Sequence, residues 1–550
     1  MKQKPLWRSA SVYQIYPRSF QDSNGDGVGD IPGIISRLDY LKDLGVEILW
    51  LSPVYQSPLD DMGYDVADYM SILPEYGTME DMDRLIEEAK KRNIRIVMDL
   101  VVNHTSDEHK WFIESKKKDS PYHDYYYWRE GKKNNTLPPN NWTSMFTGSA
   151  WTFDKEAGLW YLHIYGEKQP DLNWHEPKVL EEVEKIITFW LDKGIYGFRC
   201  DVINQIYKQS LEDGKGHAAS ARGIEHYLMK EGNHQILRQL YDDIFSKRDA
   251  VMIGETFNVD YENGRRFLDE HELDMFFQFD HMGIDKSYNP LVPARFKPKK
   301  FMEIIYGWQE NCAWNANYLE NHDQRRSITR FGDPKKYWKE SGKMLATLNL
   351  TLHGTPFIYQ GEEIGMLDLP RPETYEEYKD VCCTRIFHVA KGYKIFSKKF
   401  IEKFINQLNR DHARTPMQWD DSPNAGFSST QGETWLPVNP NFKEINAKKE
   451  AEDPDSILAY YKKLLRLRKE EEALVDGTFE SIKTKHPVYQ YFRKLDGQCL
   501  LIVLNFSGKE AALEKDFAGR KGKVLLSNVG RTDFEFVNKL KPFEAAIIKL

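Results

Sequence analysis

The chain has 550 residues, enough for two to four domains with sizeable cores. Its net charge of −8 gives no electrostatic basis for binding nucleic acid or an anionic membrane. Five scattered cysteines with no Cys-x-x-Cys pair argue against a disulfide framework or a cysteine zinc site. No run approaches ~18 apolar residues, and Met1-Lys-Gln-Lys-Pro-Leu-Trp-Arg8 lacks the apolar core of a signal peptide. The expectation is a cytoplasmic, monomeric protein without membrane or nucleic-acid partners.

Ser11-Val-Tyr-Gln-Ile-Tyr16 reads as a strand, followed by a Gly/Asp-rich loop over 22–30. Ile34, Leu38, Leu41 and Leu44 recur at helical spacing and stop at Gly45. Ile48-Leu-Trp-Leu51 is a second strand. Met79, Met82, Leu85, Ile86 and Ala89 form an amphipathic helix, with Thr78 as N-cap and Asp81 at the capping-box position. Ile94 to Val102 is a third strand. This βαβαβ alternation predicts a parallel sheet covered by helices.

Residues 105–171 break the pattern. They are rich in Lys, Asn, Pro, Tyr and Trp and too long for a simple loop, so an inserted domain is expected after strand three. The alternation then resumes. Pro177 sits at the first helical position, Val179, Val183, Ile186, Ile187 and Trp190 share a face, and Gly194 ends the helix. Strands near Phe198 and Ile253, over 276–279 and 316–319, and at Pro356-Phe-Ile-Tyr359 bring the count to eight, as in a (β/α)₈ barrel. From 477 onward the pattern is all-β. The expected α/β architecture is a (β/α)₈ TIM barrel over 1–104 and 172–476, an inserted domain over 105–171 and a C-terminal antiparallel β-sandwich over 477–550.

Several of these strands end in an acid. In Tyr196-Gly-Phe-Arg-Cys-Asp201, Arg199 and Asp201 are two apart and point to one side. An arginine beside a carboxylate favours its ionised form, as a nucleophile requires. Val251-Met-Ile-Gly-Glu255, Asn321-His-Asp323 and Ile96-Val-Met-Asp99 share the design. As parallel neighbours they would converge on one carboxylate-lined pocket. Each acid taken alone also reads as an N-cap or a salt-bridge partner.

With Asp61-Met-Gly-Tyr-Asp65, Gln169-Pro-Asp-Leu-Asn-Trp174, Tyr359-Gln-Gly-Glu-Glu and Ala413-Arg-Thr-Pro-Met-Gln-Trp419 added in order, the chain resembles the α-amylase superfamily, glycoside hydrolase family 13. Within it the match is nearer to the oligo-1,6-glucosidase and α-glucosidase group. The resemblance implies Asp201 as nucleophile, Glu255 as general acid/base and Asp323 as the third carboxylate. It implies His104 and His322 as hydroxyl-binding histidines and Tyr64 as the platform under the sugar. Asp61 and Arg414 match the pair that closes the non-reducing end, and Arg199 is to hold Asp201 charged. Asp99 supports the site rather than reacts.

The activity implied is an exo-acting, retaining α-glucosidase for short oligosaccharides, with no organic cofactor. Val202, directly after the nucleophile, is similar to the residue of members that prefer α-1,6 links. The segment 211–222 is expected to shape the leaving-group side, where Lys215, Glu320 or Arg325 would admit another disaccharide. The alternatives are an α-1,4-glucosidase or sucrase, a trehalose-6-phosphate hydrolase, and a sucrose-active transglucosylase or isomerase. A non-catalytic partner-binding homologue is disfavoured, because such chains lose the acids retained here.

The loop Asp22-Ser-Asn-Gly-Asp-Gly-Val-Gly-Asp30 offers oxygens at alternate positions, as a hard cation wants. It is not an EF-hand, since position twelve is Gly33. It resembles the family's short calcium loop, with side chains of Asp22, Asn24, Asp26 and Asp30 and the carbonyl of Val28 as ligands to a structural Ca²⁺, or Mg²⁺ in its place. The competing reading is a turn held by Asx hydrogen bonds.

Overall fold

The computed structural model describes residues 4–286, 295–370, 378–392, 397–483, 487–513, 521–535 and 539–550. Eight parallel strands form its centre: β1 (Val12–Ile15), β2 (Ile48–Leu51), β3 (Arg95–Leu100), β4 (Gly197–Cys200), β5 (Val251–Glu255), β6 (Met275–Phe277), β7 (Ala316–Asn317) and β8 (Thr355–Tyr359). They pair in the order β6-β5-β4-β3-β2-β1-β8-β7, and the free ends β6 and β7 lie against each other, nearly closing a barrel. All eight expected strands are present, although β6 and β7 stop two residues before the apolar pattern does.

The helices start and stop where the sequence signals them. Thr78 and Asp81 form a reciprocal capping box on the helix Met79–Lys91. Pro177 opens the helix Pro177–Lys193, and Gly194 ends it in the left-handed conformation that glycine adopts most readily. Gly197 is also dictated by backbone: a Cβ there would sit 2.0 Å from the Val251 carbonyl oxygen, so only glycine lets β4 approach β5.

Between β3 and β4, an antiparallel sheet of three strands (Trp128–Arg129, Leu159–Leu162 and Trp151–Asp154) carries its own small core around Tyr127, Trp142, Trp151 and Leu162. Leu211, Ile224 and Tyr227 join that core. The segment 211–222 is therefore docked on the inserted region. Asn140 Nδ2 and Trp142 Nε1 donate to the carbonyls of Leu211 and Glu212.

The C-terminal part is one six-stranded antiparallel sheet among the described residues. Tyr489, Tyr491, Leu500, Ile502, Leu504 and Ile547 face the barrel core, while the alternate positions Val488, Leu501, Val503, Ala546 and Ile548 pack under Ala511 and Leu540. Among the described residues no disulfide joins any of the five cysteines. Among the described residues no helix is long and apolar enough to cross a membrane.

Candidate active site

Parallel strands of a barrel all end on one face, so residues just after each strand are brought together whatever their separation in sequence. Here that face holds a cavity of about 250 Å³, slightly below the usual ~300–1,000 Å³ for ligand sites. Asp61, Tyr64, His104, Asp201, Val202, Glu255 and Asp323 all line it. Arg199, His322 and Arg414 lie beneath, bonded to the residues that do.

Arg199, near the end of β4, is the hub and is almost fully buried. Its Nη1 lies 2.5 Å from Asp99 Oδ1 and 2.7 Å from Asp201 Oδ1, and its Nη2 lies 2.6 Å from Glu255 Oε2. The guanidinium also stands 5.1 Å from the Trp50 ring centroid, and Trp50 Nε1 donates to Asp99 Oδ2. One positive charge thus serves three carboxylates. Burial pushes the Asp201 carboxyl well above the ordinary range; Arg199 opposes this, while Glu255 and Asp99 add to it. Asp99 is pushed up to about 6 by burial, again against Arg199. Arg199 favours the ionised form of Asp201, as the sequence suggests, but its one charge is divided among three carboxylates.

Val202 carries a second feature of this turn. Its φ of 37° and ψ of 39° are left-handed, an unusual state for a β-branched residue that costs about 1–2 kcal/mol. The strained turn aims the Val202 N–H at Glu255 Oε2, 3.1 Å away. The main chain after Asp201 thereby fixes the second carboxyl.

Asp323 has the opposite electrostatics. Burial alone would raise its carboxyl, but His322, Arg410 and Arg414 hold it well below the usual range. Burial brings His322 itself down to about 3, so at neutral pH the two arginines are the charged partners. Arg414 Nη2 lies 2.6 Å and Arg410 Nη1 3.3 Å from Asp323 Oδ1. His322 accepts from Gln14 Nε2 at Nδ1 and stacks on Tyr64, with ring centroids 5.1 Å apart and planes 7° apart.

The pairing expected between Asp61 and Arg414 is not formed. Arg410 takes that place, with Nη2 3.1 Å from Asp61 Oδ1 and 2.7 Å from the buried Asp380 Oδ1, while Arg414 is spent on Asp323 and the His322 carbonyl. The two arginines are one helical turn apart, so spacing alone does not choose between them. Gln169 Nε2 donates to Asp61 Oδ2 and to the Tyr64 carbonyl, and His104 Nε2 lies 3.0 Å from that same carbonyl.

The lining also includes residues that local sequence does not flag: Met145, Phe146 and Tyr165 from the inserted region, Phe257 and Phe279 from the barrel, and Lys286 and Gln324. The signal that could have found the first group is the aromatic richness of 105–171. Lys215, Glu320 and Arg325 do not line the cavity. Lys215 is exposed, Glu320 is buried on Arg326 at 3.0 Å, and Arg325 is paired with Asp368 at 2.6 Å.

The loop 22–30 is away from this cavity. Asp22 accepts from the backbone of Asn24, Gly25 and Gly27, Asn24 from Asp26, Asp26 from Val28, and Asp30 from Ser23 and Gly33. Among the described residues no three His, Cys, Asp or Glu side chains gather as a metal cage. The donor set still has the chemistry of a hard-cation site: it is all oxygen, and Asp22 and Asp30 are buried carboxylates with no cationic side chain within ion-pair distance among the described residues.

The family model for the alpha amylase catalytic domain matches residues 14–477. The oligo-1,6-glucosidase of Parageobacillus thermoglucosidasius is 48% identical over 99% of both chains. The crystal structure of Bacillus licheniformis trehalose-6-phosphate hydrolase superposes with a TM-score of 0.91 at 42% identity, covering 99% of this chain and 100% of that one. That of the trehalulose synthase from Pseudomonas mesoacidophila does so with 0.93 at 38% identity, covering 100% of both. With acid-tipped barrel strands meeting in one cavity and similarity running the full length, the chain belongs to the alpha-amylase family and is a glycoside hydrolase.

Proposed function

We propose that this enzyme releases terminal, non-reducing glucose from short α-glucosides by double displacement, with α-1,6 links favoured. Asp201 attacks the anomeric carbon. Glu255 protonates the departing oxygen and later takes a proton from water. Asp323, kept ionised by Arg410 and Arg414, stabilises the oxocarbenium charge. The observation that carries this reading is that Asp201 and Glu255, both bonded to Arg199, line one cavity with Asp323: nucleophile and acid/base must reach the same glycosidic bond. The Asp61–Arg410 ion pair, backed by Gln169, closes the end that takes the terminal sugar and so restricts the enzyme to chain ends. Tyr64, stacked on His322, supplies the sugar platform.

The α-1,6 preference rests on Val202, which lines the cavity beside Glu255, and on the oligo-1,6-glucosidase similarity. The test is glucose release from equal concentrations of isomaltose and maltose, with sucrose and trehalose 6-phosphate in parallel. Isomaltose is expected to lead by tenfold or more, about 1.4 kcal/mol in transition-state binding. Val202→Thr is expected to cut the isomaltose-to-maltose ratio by roughly tenfold, the scale of one altered apolar contact. Maltose leading in the native enzyme would remove the linkage assignment and leave the acids in place.

For the loop 22–30 we propose a structural Ca²⁺, or Mg²⁺, on Asp22, Asn24, Asp26, Asp30 and the Val28 carbonyl, exchanged for some of the Asx hydrogen bonds. Binding only the folded state stabilises it. Chelation is therefore expected to lower Tm by a few °C, and added Ca²⁺ to restore it, with turnover at 25 °C little changed. A Tm indifferent to both would leave the loop as an Asx-bonded turn.

A further inference from the structure

Lys286 is a cation in the cavity wall that the proposed reaction does not use. It follows β6, and its Nζ donates to Gln324 Oε1 at 2.9 Å. That is its single hydrogen bond among the described residues, and no carboxylate there lies within ion-pair distance. Its neighbours in charge are Asp285, Arg330, Arg325 and Asp323. Each acid is already engaged. Asp285 is clamped by Arg330, whose Nη2 lies 2.5 Å away, and Asp323 is held by Arg414 and Arg410. Arg325 is paired with Asp368. Arg330 also donates to Gln324 Oε1, which leaves that oxygen saturated by two cations. An ammonium has three donors, so Lys286 keeps two N–H groups in a cavity whose nearby wall is Phe257, Phe279, Met282 and Gly283. An incompletely paired charge in such surroundings is costly unless a ligand completes it.

Its position indicates which part of the ligand. The polar contacts of Lys286 and Gln324 do not reach Asp61, Gln169 or Arg410, which close the end proposed for terminal glucose. We infer that Lys286 is a specificity-determining residue for the leaving sugar, donating hydrogen bonds to its hydroxyls while Phe257 and Phe279 take its apolar face. This rests on the proposed glucosidase reading and deepens it. It assigns the second unit as a hydroxyl-rich sugar rather than an apolar aglycone. Burial and Arg330 bring the ammonium down to about 8, so the donor is charged at neutral pH and lost on the alkaline side.

The test compares kcat/KM for isomaltose with that for phenyl α-glucoside, which shares the terminal glucose but has no hydroxyl on its leaving group. In Lys286→Met the isomaltose-to-phenyl ratio is expected to fall at least tenfold, the scale of a lost charged hydrogen bond. Lys286→Arg, which keeps charge and donors, is expected to recover most of it and to abolish an alkaline decline of the ratio near pH 8. A ratio in Lys286→Met within threefold of the native value would overturn the assignment while native turnover of both substrates upholds the glucosidase reading. Absence of native turnover on both substrates would overturn both readings.

Discussion

Asp201→Asn is expected to abolish turnover of every α-glucoside, by a factor on the order of 10⁴–10⁶, the range seen when a covalent-catalysis enzyme loses a member of its nucleophilic machinery. The folded protein should tolerate the change. Burial, Glu255 and Asp99 raise the Asp201 carboxyl above its value in an unfolded chain. A raised folded-state value means that stability is fully present below the unfolded value and is lost as pH rises through the folded one. At neutral pH the native carboxylate therefore costs stability, and an amide there removes repulsion within the cluster. The variant's Tm should be equal to or above the native one, with a flatter dependence on pH between mildly acidic and neutral conditions. Turnover within tenfold of native would remove Asp201 as nucleophile. Lost turnover together with a lower Tm would point to a structural role instead.

Glu255→Gln is expected to lower kcat/KM on isomaltose by about 10²–10⁴-fold, the usual contribution of a positioned acid. Gln keeps a carbonyl oxygen that can accept from the Val202 N–H and Arg199, so the local geometry should survive. The discriminating measurement is leaving-group dependence. A nitrophenyl glucoside has a leaving oxygen that departs without protonation, so bond cleavage to it should be far less affected than cleavage of isomaltose. Its overall turnover should become limited by hydrolysis of the glycosyl-enzyme, seen as a burst of nitrophenol. Equal losses on both substrates without a burst would argue against an acid role and for a merely electrostatic one.

Much of this molecule is legible from local chemistry. The barrel follows from eight apolar runs alternating with amphipathic segments, delimited by Thr78, Pro177, Gly45 and Gly194, whose capping and turn preferences are set by their own backbones. The convergence of Asp201, Glu255 and Asp323 is equally legible, because parallel strands in a barrel necessarily end on one face. Alternation across the strands at 488–504 likewise fixes which residues face the barrel. These features depend on residues within a few positions of each other, or on one topological rule.

Other features were decided by distances between elements far apart in the chain. Arg410 rather than Arg414 meets Asp61 because of where the helix Asp411–Arg414 docks, and both arginines satisfy the same local pattern. Arg199 neutralises no single acid because Asp99 and Glu255 arrive beside it from β3 and β5, dividing one charge three ways. The segment 211–222 docks on the inserted region because Leu211 packs into the Trp142 cluster and Trp142 Nε1 donates to the Glu212 carbonyl. Lys286 became a cavity cation because Arg330 had already claimed Asp285, the acid next to it in sequence. Sequence determined the scaffold and the convergence of the three acids, since propensity and strand direction act locally. Tertiary structure alone decided how the charges pair, because pairing is a competition among groups that meet only after the chain has folded.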